Sequence, residues 1–214
     1  MFGRRGIWLC AMVVVVAIGQ ARASEPATPQ AFIQSLVDDA ILQLTDPAIS
    51  VDEQEQRFRK IMSDYVAFNS IARWVLGRHW RKADDAQQAR YFKVFEDLMV
   101  ATYAHRFRNY GGEKLEIAAT RDIEQDQWLV QSKVRRPGAD KELKVDWRVR
   151  RTDERFRVID IMVEGLSMAQ TQRSEFASVM RNNGGDLDAL LLDLETRLEK
   201  ARKDRDIAIS EASK

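Results

Sequence analysis

Apolar residues between Pro29 and Leu44 recur at helical spacing. Phe32, Leu36, Ala40 and Leu44 form one stripe, widened by Ile33, Val37 and Ile41, which predicts an amphipathic helix. Thr28 stands as its cap, with Pro29 in the first turn, and Asp46-Pro47 stops it. Ser50-Val51-Asp52-Glu53 has the form of a capping box and opens a second helix to about Phe68. A short helical segment, Ser70 to Leu76, ends at Gly77. Asp84, with Gln87 three residues on, starts a long helix carrying Phe92, Phe95, Met99, Tyr103, Phe107 and Tyr110 on one face. Gly111-Gly112 ends it. So large an aromatic stripe is either ordinary core or one wall of an apolar cavity.

From Lys114 the period changes to two. Leu115, Ile117 and Ala119 alternate with polar residues, and Trp128, Val130, Ser132 and Val134 do the same. After the turn at Pro137-Gly138-Ala139-Asp140, Leu143, Val145, Trp147 and Val149 alternate with charged residues. A second turn at Thr152-Asp153-Glu154 precedes Phe156 to Val163. The pattern predicts four antiparallel strands in a meander, with one apolar face holding two tryptophans and one charged face. A helix resumes after Gly165 with Phe176, Val179 and Met180 inward, and Asn182-Asn183-Gly184-Gly185 breaks it. Asp186 caps a last helix with a leucine face, from Leu187 to Leu198. Beyond Glu199 the stripe fades, and the charged tail, 199–214, is expected to fray.

The N-terminus is different material. Arg4 and Arg5 precede an apolar run from Ile7 to Ile18, followed by Ala21-Arg22-Ala23. This is the form of a cleaved secretory signal peptide, 1–23. The run falls short of the roughly 20 residues of a helical span, which disfavours an uncleaved anchor. Cleavage removes the one cysteine, Cys10, and shifts a formal charge of +1 slightly negative. With no basic excess, the chain does not read as a general nucleic-acid binder. An exported, periplasmic protein of one main domain, 24–198, is expected.

Catalytic patterns do not assemble. Gly165-Leu166-Ser167-Met168-Ala169 imitates a nucleophile elbow between a strand and a helix. No histidine follows Ser167, however, and the sheet reads as antiparallel, so Ser167 is better explained as a helix cap. His79 and His105 lack the spacing of a metal pair, and no glycine-rich phosphate loop is present. The arginines from Arg135 to Arg157 read either as a solvated strand face or as a docking surface for an acidic partner. The expectation is a protein that is not an enzyme and has no cofactor.

Four stretches, in order, carry a family resemblance. They are Ala72-Arg73-Trp74-Val75-Leu76-Gly77-Arg78-His79-Trp80-Arg81-Lys82-Ala83; Phe92 to Phe95 leading to Thr102-Tyr103-Ala104 and Tyr110-Gly111-Gly112; Val145-Asp146-Trp147-Arg148; and Val163-Glu164-Gly165-Leu166-Ser167-Met168 with Arg173 and Phe176. Together they resemble the MlaC family of periplasmic phospholipid-binding, or toluene-tolerance auxiliary, proteins. A hopanoid-associated branch, HpnM, shares the pattern. The resemblance implies an α+β fold: a twisted four-stranded antiparallel sheet packed with several helices around a deep apolar lipid pocket.

It further implies bound phospholipid as cargo. The implied partners are an MlaA-like outer-membrane lipoprotein complex and an MlaD-like MCE-domain complex of an inner-membrane ABC transporter. Spacing and resemblance together suggest Phe95, Met99, Tyr103, Phe107, Tyr110, Val130, Trp147, Val149, Val163 and Leu166 as the lipid-lining set, with Leu166 at the mouth. Lys144 and Arg148 are expected to dock partners, where charge governs encounter rates. Two rivals stand beside this reading. One is an enzyme on a related cone-shaped fold, using Asp38, Asp64 or His105 converging in the pocket. The other is an adaptor with a filled core.

Overall fold

Residues 26–139 and 141–212 are described by a computed structural model; the expected signal peptide and its cleavage point lie outside the described residues. Helix α1 (Pro29–Leu44) starts where Thr28 Oγ1 accepts from the Ala31 amide. Helix α2 (Val51–Tyr65) starts the same way from Ser50. Chain segment Val66-Ala67 then runs beside the sheet and leads into α3 (Phe68–Leu76) and a 3₁₀ turn, Gly77–Lys82. Helix α4 (Asp85–Tyr103) has the full reciprocal capping box of Asp84 and Gln87. The long aromatic helix is shorter than its pattern predicts, because residues Ala104–Asn109 tighten into a second 3₁₀ turn.

Strands β1 (Lys114–Glu124), β2 (Gln127–Arg135), β3 (Leu143–Thr152) and β4 (Arg155–Val163) form the expected antiparallel meander. A fifth strand, β5 (Leu166–Ser167), adds two residues to the β4 edge. The turn before it explains the Glu164-Gly165 pair. Both residues have positive φ, 50° and 82°, as a two-residue type I′ hairpin requires. So short a strand has no periodicity to detect. Helix α5 (Met168–Asn182) follows at once, and α6 (Leu187–Ala212) closes the chain. The expected fraying tail is instead helical through Ala212, because Arg205 pairs with Glu55 of α2 and with Asp206.

Apolar burial divides into two main bodies. One lies among α3, α4, α5 and α6 around Tyr91, Phe95, Phe176 and Leu191. The other joins α1 and α2 to the sheet through Phe32, Leu36, Ile61, Val130, Val149 and Phe156. Met62, Val100 and Ala104 bridge them, with Phe58, Phe68 and Met99 packed around. Polar clamps hold the bodies in register. Gln54, buried in α2, donates to the Leu44 carbonyl at 2.8 Å and accepts from Arg108 Nε at 3.1 Å. Asp97 of α4 accepts from Arg59 and Lys93. Burial opposes ionisation of Asp97, yet those two cations hold its carboxyl below the usual range.

Ser167 is the cap that its context predicts. Its Oγ accepts from the Gln170 amide at 3.0 Å and donates to Asp160. Asp160 Oδ1 accepts from the Ala169 amide at 3.1 Å. Replacing Ser167 with alanine is expected to cost about 1–2 kcal/mol in denaturant unfolding, the value of a lost cap, and to leave the fold intact. A loss beyond about 4 kcal/mol would give Ser167 a role other than capping.

Candidate functional site

Strand register assembles the inner face of the sheet from alternate residues of every strand. Ile117 lies opposite Ser132, Ser132 opposite Val145, Val145 opposite Val163, and Val163 opposite Leu166. The neighbouring row runs Thr120, Val130, Trp147, Ile161. The next holds Trp128, Val149 and Val158, and on the other side lies Leu115, Val134, Leu143. Side chains directly opposite share one face, so these rows form a nearly continuous apolar surface. Of its two hydroxyl-bearing members, Thr120 and Ser132, the second is held in place: Trp147 Nε1 donates to its Oγ at 3.0 Å, and that hydroxyl donates to the Val145 carbonyl.

Helices cover this surface unevenly. Val130 and Val149, in one cluster with α1 and α2, are fully buried, whereas Leu143 is 42% exposed and Leu166 is 72% exposed. Trp147, Val163 and Tyr110 are half-buried between these extremes. Phe107 packs against the sheet-side body and lies 6.1 Å from the Phe58 ring, while the Tyr110 hydroxyl donates to the Glu113 carbonyl. Of the lipid-lining set expected from sequence, Phe107, Val130, Trp147, Val149, Val163 and Leu166 therefore fall on or beside the inner face.

The α4 members fall elsewhere. Phe95 is 2% exposed inside the helical body, with the rings of Phe68, Tyr91 and Phe176 at 5.4, 5.7 and 5.3 Å. Met99 fills the junction between bodies. Tyr103 is half-buried under the Arg106 guanidinium, 5.0 Å from its ring, and burial raises its pKa. An α-helical stripe wider than one packing partner divides between partners, which is why one periodic pattern served two cores.

Among the cavities that flank the helical body, two bear on the sequence-predicted residues. The larger, about 590 Å³, has an apolar floor of Val75, Leu76, Phe176 and Met180 and a rim of Arg78, His79, Lys82, Arg173 and Arg181. Arg173 spans its edge, donating to the Trp74 carbonyl at 2.9 Å with its guanidinium 4.5 Å from the Trp74 ring. Gly77, at φ +62°, leaves room there: an added Cβ would sit 3.5 Å from Arg173. His79 is pushed below its ordinary pKa, first by burial and then by Arg78 and Lys82. Its contribution to stability is therefore present above the ordinary histidine value, 6.5, and is lost as pH falls below it. The expected measurement is a His79 imidazole titration by NMR with a midpoint under 6.5; a higher midpoint would remove the cationic rim from its surroundings.

The second cavity, about 310 Å³, lies on the outer face of the sheet, bounded by Ser70, Ile71, Trp74, Gln127, Arg148, Arg150, Ile159, Asp160 and Ala169. The outer face is thus not simply solvated. Lys144 is exposed on it, but Arg148 pairs with Glu124 at 3.3 Å and borders the cavity. The charge alternation in β3 showed which side these residues occupy, but nothing local shows that α3 and α5 reach that side.

The acid–base candidates remain apart. Asp38 accepts from Gln34, Asp64 from Lys60, and His105 Nδ1 faces the Ala101 carbonyl. Among the described residues, no group of three or more His, Cys, Asp or Glu is placed to hold a metal ion, and no helix is long and apolar enough to cross a membrane.

The family model described as MlaC protein matches residues 34–196. The intermembrane phospholipid transport system binding protein MlaC of Haemophilus influenzae is 20% identical over 169 residues, covering 74% of this chain and 78% of that one. Among solved structures, the phospholipid-binding protein of Ralstonia solanacearum, determined in complex with a phospholipid, superposes with a TM-score of 0.74. It is 24% identical, and the match covers 82% of this chain and 99% of that one.

Proposed function

The chain belongs to the MlaC family, and from that premise we propose that it is a periplasmic phospholipid carrier whose acyl-chain seat is the open end of the inner sheet face. The observation that carries the proposal is the row crossing all five strands, apolar except for Ser132, and ending at the exposed Leu166. Trp147, Val163 and Leu166 form the seat, with Phe107 and Tyr110 beside it. Phe95 has a structural role.

The energetics call for such a surface. A two-chain lipid carries about thirty buried CH₂ groups at ~0.8 kcal/mol each, or roughly 24 kcal/mol against free passage through water. A carrier needs an apolar seat that replaces the bilayer, and it needs no catalytic group. Transfer between one apolar seat and another changes little exposed area, so docking partners decide the direction. Those partners are an MlaA-like outer-membrane complex and an MlaD-like inner-membrane complex. Lys144 on the outer face supplies charge for transient encounter.

Organic-solvent extraction of the purified, exported protein, followed by mass spectrometry, tests the reading. About one phospholipid per chain is the expected result. A hopanoid in its place would assign the chain to the hopanoid-carrying branch. Protein free of lipid after purification, and unable to take phospholipid from vesicles, would overturn the carrier reading.

A further inference from the structure

An indole carries one N–H donor and a tyrosine one O–H, and a donor turned into hydrocarbon without a partner is costly. The acyl-chain seat proposed above has one of each: the indole of Trp147, and the hydroxyl of Tyr110 beside it, both on half-buried side chains. Both donors are taken up inside the protein. Trp147 Nε1 donates to Ser132 Oγ at 3.0 Å, and the Tyr110 hydroxyl donates to the Glu113 carbonyl at 2.9 Å. Ser132 in turn donates to the Val145 carbonyl, so its hydroxyl serves as acceptor and donor at once.

Strand register places the pair. Ser132 lies opposite Val145, and Val130 lies opposite Trp147. Ser132 and Trp147 are therefore diagonal neighbours on one face of β2 and β3, a separation that a long side chain spans. Ser132 is 2% exposed, on a face where Val130, Val145 and Val149 are also buried. A valine would continue that apolar face with no polar group to bury, whereas the serine is retained only through the bonds it makes. The bond that reaches the seat is the one from Trp147. Thr120, the other hydroxyl on this face, is remote from it: its Oγ1 is buried, and β1 lies two strands from Trp147. A chain lying on Trp147, Val163 and Leu166 thus meets hydrocarbon, with the nearby donors already engaged.

We infer that Ser132 is a positioning residue that sets the chain specificity of the seat. By accepting the Trp147 N–H it withdraws the donor that a polar group on an acyl chain would use, so the seat prefers unsubstituted acyl chains to chains bearing a hydroxyl. A chain hydroxyl entering the seat gives up its water and finds no partner. Ser132 acts through Trp147 and does not touch the cargo. The inference rests on the seat proposed above.

The test is a competition. The exported protein is incubated with vesicles containing equal amounts of 1-palmitoyl-2-stearoyl-phosphatidylglycerol and its 12-hydroxystearoyl analogue, reisolated, and extracted for mass spectrometry. The wild type is expected to favour the unsubstituted lipid by at least about tenfold. In Ser132→Ala the indole N–H is released to the seat, where it can meet a chain hydroxyl, and the preference should fall to about threefold or less. Trp147→Phe has no indole N–H and should keep the preference. The double variant Ser132→Ala with Trp147→Phe should regain it, a reversal that a merely structural role for Ser132 would not produce. Ser132→Cys keeps the size but offers a weak acceptor, and should move the preference in the same direction as Ser132→Ala if circular dichroism shows the alanine variant unfolded. Equal capture of both lipids by the wild type overturns the inference, as does an unchanged preference in the folded Ser132 variant or a double variant that stays unselective. A wild type that captures neither lipid defeats the carrier reading itself, and the inference with it.

Discussion

Leu166→Glu is expected to yield a folded, soluble protein that purifies with little or no phospholipid. Leu166 occupies the two-residue strand β5, and 72% of its surface is open to solvent. A carboxylate there meets water in the free protein, so stability should change by no more than about 0.5 kcal/mol, as for ordinary surface positions. The situation reverses when an acyl chain lies along the row from Ile117 to Leu166. The carboxylate then has to be desolvated beside hydrocarbon, at a cost of several kcal/mol. Each 1.4 kcal/mol is about tenfold in affinity, so retention should fall by about a hundredfold or more. Mass spectrometry of matched extracts measures the ratio, and circular dichroism confirms the fold. Equal phospholipid in wild type and variant would remove Leu166 from the lipid seat.

Phe95→Ala is expected to act in the opposite way, by destabilising the protein. Phe95 sits at the centre of the helical body, stacked on Tyr91 with an interplanar angle of 23° and set edge-on to Phe176 at 69°. Truncating a buried phenylalanine removes its transfer free energy and leaves a cavity, about 3–5 kcal/mol together. Neighbouring rings add to the rigidity of the site: Tyr91 is itself tied by its hydroxyl to the Ala72 carbonyl at 2.9 Å, and burial raises its pKa. Urea unfolding should show the loss as a lower midpoint with an unchanged slope. A variant as stable as the wild type but depleted of lipid would return Phe95 to a lipid-lining role.

These two substitutions separate residues that the sequence places in one set. Phe95 and Leu166 are both large apolar residues in stretches that resemble the family. Periodicity records that a residue turns toward an apolar partner but not which partner. For α4 the partner is mostly α6 and α5, because Phe92, Phe95 and Met99 pack against the helical body. For the inner faces of β3 and β4 the partners are α1 and α2, whose Phe32, Leu36 and Ile61 share one buried cluster with Val149, Phe156 and Val158. A one-dimensional pattern contains no information about which part of a sheet face distant helices cover, and Leu166 lies outside the part they do.

Local signals were reliable wherever the determining contacts are near in sequence. Thr28, Ser50, Asp84 and Ser167 each cap the helix that their context predicts, since a side-chain oxygen and an amide two or three residues on are always within reach. The four long strands and their antiparallel order were legible from period-two alternation and short turns. Two departures have different causes, one local and one long-range. The 3₁₀ turn after Tyr103 keeps a spacing close enough to helical to be invisible in the pattern. The tail beyond Glu199 has little apolar stripe, yet it stays helical through Arg205 and its pairing with Glu55, a residue 150 positions earlier.

The sequence by itself determined the elements, the apolar and charged sides of the sheet, and the family to which the motifs point, because each rests on propensity, alternation or spacing along the chain. Only the tertiary structure decided which apolar residues became sealed core and which stayed open, and that the charged side of β3 is partly roofed by α3 and α5. The physical reason is the same in both cases. Burial is set by what arrives from distant parts of the chain, so Val149 and Leu166, or Lys144 and Arg148, read alike in sequence and end in different surroundings.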